Sequence, residues 1–231
     1  MPKSHAYRST LRGAPIFSSL SDEELYKVEE IITEKKFKKN TVILSEDETK
    51  NYMYIVFAGK VKVVQLSPEG KEQIFAIHKK GDFFGEMSLL DGKTQPANVV
   101  AMEDTTAGLI SKNDFDRYFL KNDSTLKQVI SLLCKRLRES WLMLRVLSFD
   151  DAESRVRAVL TNVSSLYGVK DLRGIIIPLK LTHKEIADYA SLARETVSRL
   201  LSRLCQSGEI EILDNKNIIL KPSFLNKSSS H

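Results

Sequence analysis

Arg194, Glu195 and Arg199, with Thr196 and Ser198 between them, fall in a run, residues 192–206, whose apolar residues recur at helical spacing. A guanidinium can bond bidentately to guanine O6 and N7, and a carboxylate can accept from cytosine N4. The set can therefore read base edges in a major groove. An ordinary surface helix also carries Arg and Glu, so the flanking elements must decide. A second constellation is Gly81-Asp82-Phe83-Phe84-Gly85-Glu86-Met87-Ser88-Leu89-Leu90-Asp91-Gly92. Two glycine turns enclose a short helix-compatible piece, 86–90, whose exposed N–H groups could hold a phosphate or other anion. A plain connecting turn is the competing reading. Cysteine chemistry is thin: Cys134 and Cys205 lie far apart in helical patterns. That pattern excludes a disulfide scaffold, a CxxC zinc site and a four-cysteine iron–sulfur cluster within one chain, and reads as two quiet buried thiols.

The elements around the arginines sharpen the reading. Residues 153–167 form a helical pattern with acids at its start. The loop 168–174 and a β-type run, 175–181, follow. Thr182-His183-Lys184-Glu185 is a capping box that opens a helix over 184–189. Ala190-Ser191 is a tight connection, and the Arg-bearing helix over 192–206 ends near Gly208. Ile186, Ala187, Val197 and Leu200 are the expected buried positions of this helix-turn-helix, with Ala187 small where the helices cross. Residues 209–213 and 217–221 flank Asp214-Asn215-Lys216, a hairpin that makes a wing.

The rest of the chain reads differently. Ser21-Asp22-Glu23-Glu24 is another capping box, leading a helix with Leu25, Val28, Ile31 and Ile32 on one face. Short β-rich runs then recur at 41–44, 53–58, 61–66, 73–77, 98–102 and 107–110, several divided by glycine turns, as in an antiparallel barrel or jelly roll. From 124 to 148 a helical pattern places Leu126, Ile130, Leu133, Leu137, Ser140, Leu144 and Leu147 at alternating steps of four and three. Six of these seven seam positions are apolar, which predicts a parallel coiled-coil dimer interface. An amphipathic helix packed on its own barrel is the alternative. Ser140 serves register or ligand contact, or is a tolerated serine bonded to its own helix.

Composition bounds these readings. The 231 residues carry 35 Lys+Arg against 30 Asp+Glu, a net charge of +5, with 42% hydrophobic residues. This is ordinary globular usage at a length of one large domain or two small ones. The excess does not locate a polyanion site: residues 150–231 hold 12 Lys+Arg and 10 Asp+Glu. No run approaches the ~20 apolar residues of a membrane span. The N-terminal residues lack an apolar h-region, so a cytoplasmic protein is expected.

Taken together, the 81–90 segment, Glu185-Ile186-Ala187 and the 194–199 run make the sequence resemble the cyclic-AMP receptor protein / fumarate–nitrate regulator (CRP/FNR) family of bacterial transcription factors. The resemblance spans nearly the whole chain and implies an α+β fold. Its parts are a β jelly-roll sensor over 1–122, a dimerisation helix over 123–149 and a winged helix-turn-helix over 150–231. It implies a homodimer that is not an enzyme and binds double-stranded DNA at a TGTGA-like inverted repeat. RNA polymerase is a further partner if the protein activates. Arg194, Glu195, Ser198 and Arg199 are the implied base-contacting set, and Thr182 and Thr196 the backbone-phosphate contacts. In the sensor, Gly85, Glu86, Met87 and Ser88 correspond to a phosphate-binding cassette that continues at Gln95 and Ala97, and Ser140 to a purine contact beside Trp141.

Departures matter as much as matches. Where the family pattern has Arg-Ser-Ala, this chain has Gln95-Pro96-Ala97, which removes the charge that neutralises a cyclic phosphate. Such a loss costs about 1.5–3 kcal/mol, roughly 10- to 150-fold in affinity. Cyclic AMP is therefore a poor expectation, and the effector stays an unknown small ligand, a cyclic nucleotide or another. The N-terminal cysteine cluster of iron–sulfur sensors is absent. The histidine that follows the Gly-Asp turn in haem-based sensors is absent too, although haem with unusual ligation stays open. His78 reads as a structural strand residue, and His5, His183 and His231 form no ligand set. The rival class is a cyclic-nucleotide-binding module that regulates an enzyme by protein contact.

Overall fold

The computed structural model describes residues 7–149 and 151–228. They divide into two compact units, one reaching to Ser67 and resuming over Ile74–Arg138, the other made of Pro68–Gln73 and the chain from Glu139 onward. His5 and His231 lie outside the described residues.

The first unit opens with helix α1 (Arg8–Gly13), a 3-10 turn at Pro15–Phe17 and helix α2 (Asp22–Ile31). Both halves of the α2 capping box form: the Glu24 amide donates to Ser21 Oγ, and the Ser21 amide to the Glu24 carboxylate. Strands β1 (Thr33–Phe37), β2 (Val42–Leu44), β3 (Tyr52–Ala58), β4 (Lys60–Leu66), β5 (Glu72–Lys79) and β6 (Phe83–Phe84) follow. Helix α3 (Glu86–Asp91), β7 (Asn98–Ala101), β8 (Thr105–Ser111) and α4 (Lys112–Phe115) come next, and a π-helical turn over Asp116–Leu120 leads to α5 (Asp123–Phe149). Two four-stranded sheets result, in the orders β1-β8-β3-β6 and β2-β7-β4-β5, with antiparallel pairing. This is the expected jelly-roll arrangement.

Strand β3 is a continuous apolar run because it is buried on both faces. Tyr54 and Val56 join one core cluster with Phe37, Leu44, Phe84, Val99 and Leu109. Met53, Ile55 and Phe57 point the other way, into a second cluster with Leu11, Phe17, Leu25 and Phe115. Strand β1, Thr-Glu-Lys-Lys-Phe, is absent from the sequence expectation because four of its five residues are exposed at a sheet edge, where charge is favoured.

Helix α5 packs on its own sensor core along one side. Val129 is buried in the second cluster, with Leu132 and Leu133 packed beside it. Ile130, Leu137, Trp141 and Leu144 remain about half to two-thirds exposed. One helix thus contributes to its own sensor core and leaves an apolar stripe open. Cys134, expected to be buried, is exposed instead, because it sits on the open side of this helix; Cys205 is half-buried.

The second unit contains α6 (Ala152–Tyr167), β9 (Val169–Asp171), β10 (Gly174–Ile177), α7 (His183–Ala190), α8 (Arg194–Gln206), β11 (Ile210–Ile212), β12 (Ile218–Leu220) and α9 (Pro222–Ser228). Asp151 caps α6 by accepting from the Ser154 amide at 2.8 Å. Its four-stranded sheet runs β11-β12-β10-β9. The β-type run expected to reach residue 181 stops at Ile177, and strand β9 occupies part of the expected 168–174 loop.

Candidate nucleic-acid interface and sensor cassette

Helix α7 is nucleated by a complete capping box in which Thr182 and Glu185 each bond the other's backbone amide. It ends at Ser191, which adopts the left-handed conformation with φ +53°, and the Leu192 amide donates back to the Ala187 carbonyl at 3.0 Å. That left-handed residue turns the chain sharply enough for α8 to start at Arg194, two residues later than the sequence pattern suggests. The inner face of α8 is Val197, Leu201 and Leu204, spaced i, i+4, i+7 and each about 1% exposed or less. Leu200, expected in this core, is only half-buried, because it lies off that stripe. Arg194, Glu195 and Arg199 are exposed, and Glu195 lies in the first turn, where a carboxylate complements the helix dipole. Thr182 is exposed, whereas Thr196 and Ser198 are half-buried.

Ser198 has a partner that its place in the motif does not reveal. His183 Nδ1 lies 2.8 Å from Ser198 Oγ and links the start of α7 to α8. His183 also lines a groove with Thr182, Lys184, Arg194 and the wing residue Lys216. Leu181, Leu201, Ile212 and Ile218 make the rest of its lining apolar, and Lys184 is paired with Asp188 at 2.6 Å.

An ion-pair network fixes the wing beneath α8. Arg157 donates to Glu153 and lies 2.8 Å from the Glu209 carboxylate, with its guanidinium 5.1 Å from the Phe224 ring centroid. Arg203 of α8 pairs with the other oxygen of Glu153. Glu209 is nearly fully buried, so this pairing compensates a charge removed from water.

In the sensor, Gly85 joins β6 to α3 with φ +85°. A side chain there would sit 3.0 Å from the Tyr52 carbonyl oxygen, so both the torsion and the space call for glycine. Glu86 is 2% exposed and accepts from Arg136 of α5 at 2.5 Å. The same guanidinium donates to the Phe83 carbonyl and lies over the Phe83 ring. Ser88 and Gln95 are both buried, and Gln95 Nε2 donates to Ser88 Oγ at 2.6 Å. Backbone bonds to Asp47 and Glu48 hold Gln95 in place. Ala97 is buried and Met87 about half exposed. The structure thus brings Gly85, Glu86, Ser88 and Gln95 together. Ser140 and Trp141, on the other side of the unit boundary in α5, are exposed.

Arg136 escaped the sequence reading because Glu86 lies 50 positions away and nothing local marks the pair. His78 is buried and stacked on Phe84, with ring centroids 6.1 Å apart. Burial, aided by the nearby Arg136 charge, holds its imidazole neutral well below the usual histidine range. Among the described residues no cluster of His, Cys, Asp and Glu is arranged to hold a metal ion. Among them also no helix is long and apolar enough to cross a membrane.

Comparison with known proteins matches both regions. Residues 34–122 match the cyclic nucleotide-binding domain, and residues 154–227 the Crp-like helix-turn-helix domain. The chain is 32% identical over 203 residues to the cyclic AMP receptor protein of Thermus thermophilus, covering 87% of this chain and 90% of the relative. Among solved structures it is similar to FixK2 from Bradyrhizobium japonicum, with 26% identity and a TM-score of 0.75, over 85% of this chain and 96% of the other. It is also similar to a CooA variant from Carboxydothermus hydrogenoformans, with 26% identity and a TM-score of 0.75, over 87% and 90%.

Proposed function

The chain belongs to the CRP/FNR family of transcription factors, and from that premise we propose that α8 reads a TGTGA-like inverted repeat through Arg194, Glu195 and Arg199. The protein is a homodimeric DNA-binding regulator with an effector-binding sensor, not an enzyme. Residues 1–122 are taken as the sensor, 123–149 as the dimerisation helix and 150–231 as the DNA-binding part.

The observation that carries the reading is the division of α8 into two faces. Val197, Leu201 and Leu204 are buried, while Arg194, Glu195 and Arg199 are free to meet base edges. Thr182 and Thr196 supply backbone-phosphate contacts that set register. A dimer places two such helices on half-sites about one helical turn apart, which explains an inverted repeat. RNA polymerase is the further partner where the bound protein activates.

The effector differs from cyclic AMP in this reading. Gln95 carries no charge and is engaged by Ser88, while Arg136, the cation beside the cassette, is already paired with Glu86. Ser140 and Trp141 would contact the ligand that does bind. The ligand acts by shifting the population toward the form whose recognition helices match the half-site spacing.

The test is gel shift on a TGTGA palindrome. Arg194→Ala and Arg199→Ala should each lose about 1–3 kcal/mol of sequence discrimination while remaining dimeric. Undiminished discrimination in both variants overturns the reading. An absorption spectrum of the purified protein, with calorimetry against cyclic AMP, cyclic GMP and cyclic di-GMP, separates haem-bound, nucleotide-binding and empty sensors.

A further inference from the structure

We propose that Gln73, far from the helix-turn-helix in sequence, caps the C-terminus of α7 and is a positioning residue for the recognition helix α8. The proposal rests on the DNA-binding reading above and gives the β4–β5 hairpin a part in it.

The hairpin turns at Pro68-Glu69-Gly70, where Gly70 takes the left-handed torsion with φ +78°. Pro68–Gln73 belongs to the second compact unit, although β4 and most of β5 belong to the first. The last carbonyls of a helix have no donor within that helix. Gln73 Nε2 supplies one from outside, donating to the Tyr189 carbonyl at 3.3 Å. Its Oε1 accepts from the Ser191 hydroxyl, so both ends of one amide are spent on the end of α7.

Ser191 is the residue at which the chain leaves α7, with φ +53°. The Cβ of a non-glycine residue disfavours this region, and the bond to Gln73 helps to hold the serine in it. The torsion at Ser191 sets the direction in which the chain runs to the start of α8 at Arg194. Gln73 thus grips the hinge of the motif. Its own backbone is anchored in turn by the next residue, Ile74, which is fully buried. With the cap made, Arg194, Glu195 and Arg199 stay exposed. The capped form is therefore one that can meet DNA, and losing the cap loosens the start of α8 without uncovering it further.

The experiment compares Gln73→Ala, Ser191→Gly and the double variant in the full-length protein. Ser191→Gly deletes the hydroxyl and suits the left-handed torsion, so it removes one bond without adding strain. Affinity is measured at fixed salt for a duplex bearing the inverted repeat and for a scrambled duplex. Gln73→Ala should bind the repeat about 2- to 12-fold more weakly, the worth of a net hydrogen bond. Its affinity for the scrambled duplex, set by phosphate charge, should not change. Hydrogen exchange at the amides of residues 191–193 should quicken in Gln73→Ala, while Val197, Leu201 and Leu204 keep their protection. Ser191→Gly should cost less affinity in the Gln73→Ala background than in the unaltered chain, because its partner is already gone. Circular dichroism verifies folding. If Gln73→Ala is unfolded, Gln73→Glu replaces it, keeping an acceptor for Ser191 but no donor for Tyr189. Undiminished affinity for the repeat, an equal loss on both duplexes, unchanged exchange at 191–193, or equal effects of Ser191→Gly in the two backgrounds each overturns the proposal. If the unaltered protein shows no preference for the repeat, the DNA-binding reading falls instead. The exchange rates then still decide whether Gln73 holds the turn.

Discussion

Gln95 Nε2 donates to Ser88 Oγ at 2.6 Å, with both side chains buried in the sensor. The amide thus engages the Ser88 hydroxyl and brings no positive charge to the cassette. Restoring the charge should restore the affinity it supplies. Gln95→Arg combined with Pro96→Ser should bind cyclic AMP about 10- to 150-fold more tightly than the unaltered chain, read by calorimetry. Equal affinities would mean that the cassette is closed for another reason.

The buried pair Arg157–Glu209 makes a second prediction. Arg157→Met strands the Glu209 carboxylate away from water and should cost about 3 kcal/mol in chemical denaturation. Adding Glu209→Leu should recover most of that loss, because two apolar groups of similar volume need no compensation. If the double variant is as unstable as the single one, the wing depends on Arg157 for its packing on Phe224 and not for its charge.

His78 gives a pH dependence with a definite sign. Unfolded, its imidazole takes up a proton below about pH 6.5, whereas burial keeps the folded ring neutral well below that. The unfolded state then binds more protons, so stability falls as pH drops below about 6.5, by up to about 1.4 kcal/mol per unit. His78→Leu should flatten this part of the stability profile and leave the profile above pH 7 alone. Asp82, whose carboxyl burial raises, has a slope of opposite sign at lower pH and is common to both proteins. Equal acid slopes in the two proteins would refute the assignment.

The stripe on α5 can be followed with the chain's single tryptophan. Trp141 is 63% exposed in one chain and neighbours Leu137 and Leu144 on the open side of the helix. Dimerisation through this stripe should shift its emission to the blue as concentration rises. Leu137→Glu with Leu144→Glu should hold the protein monomeric by sedimentation and keep the emission at its exposed value. A dimer that survives both changes would place the interface elsewhere.

Much of this architecture is written locally. The capping boxes at Ser21 and Thr182, the seam positions of α5 and the Arg-bearing start of α8 all depend on neighbours within a turn or two, where side-chain and backbone chemistry is set by spacing. The same locality misled at Leu200, whose apolar character does not place it on the stripe of Val197, Leu201 and Leu204. It misled again at Cys134, where a helical pattern gives no sign of which face is covered. Strand β1 escaped notice because a charged edge strand owes its pairing to β8, some 70 positions later.

By itself, then, the sequence determined most of the order of elements, the charged face of α8 and the missing charge at Gln95, since each follows from residue type and short-range period. Only the tertiary structure decided what those residues do to one another. Folding brings Arg136 onto Glu86, Gln95 onto Ser88 and His183 onto Ser198, contacts made by hydrogen bonds a few ångströms long between groups 50, 7 and 15 positions apart. Such contacts leave no periodic trace, because what selects them is burial and the need to satisfy each buried polar group, which only the packed chain defines.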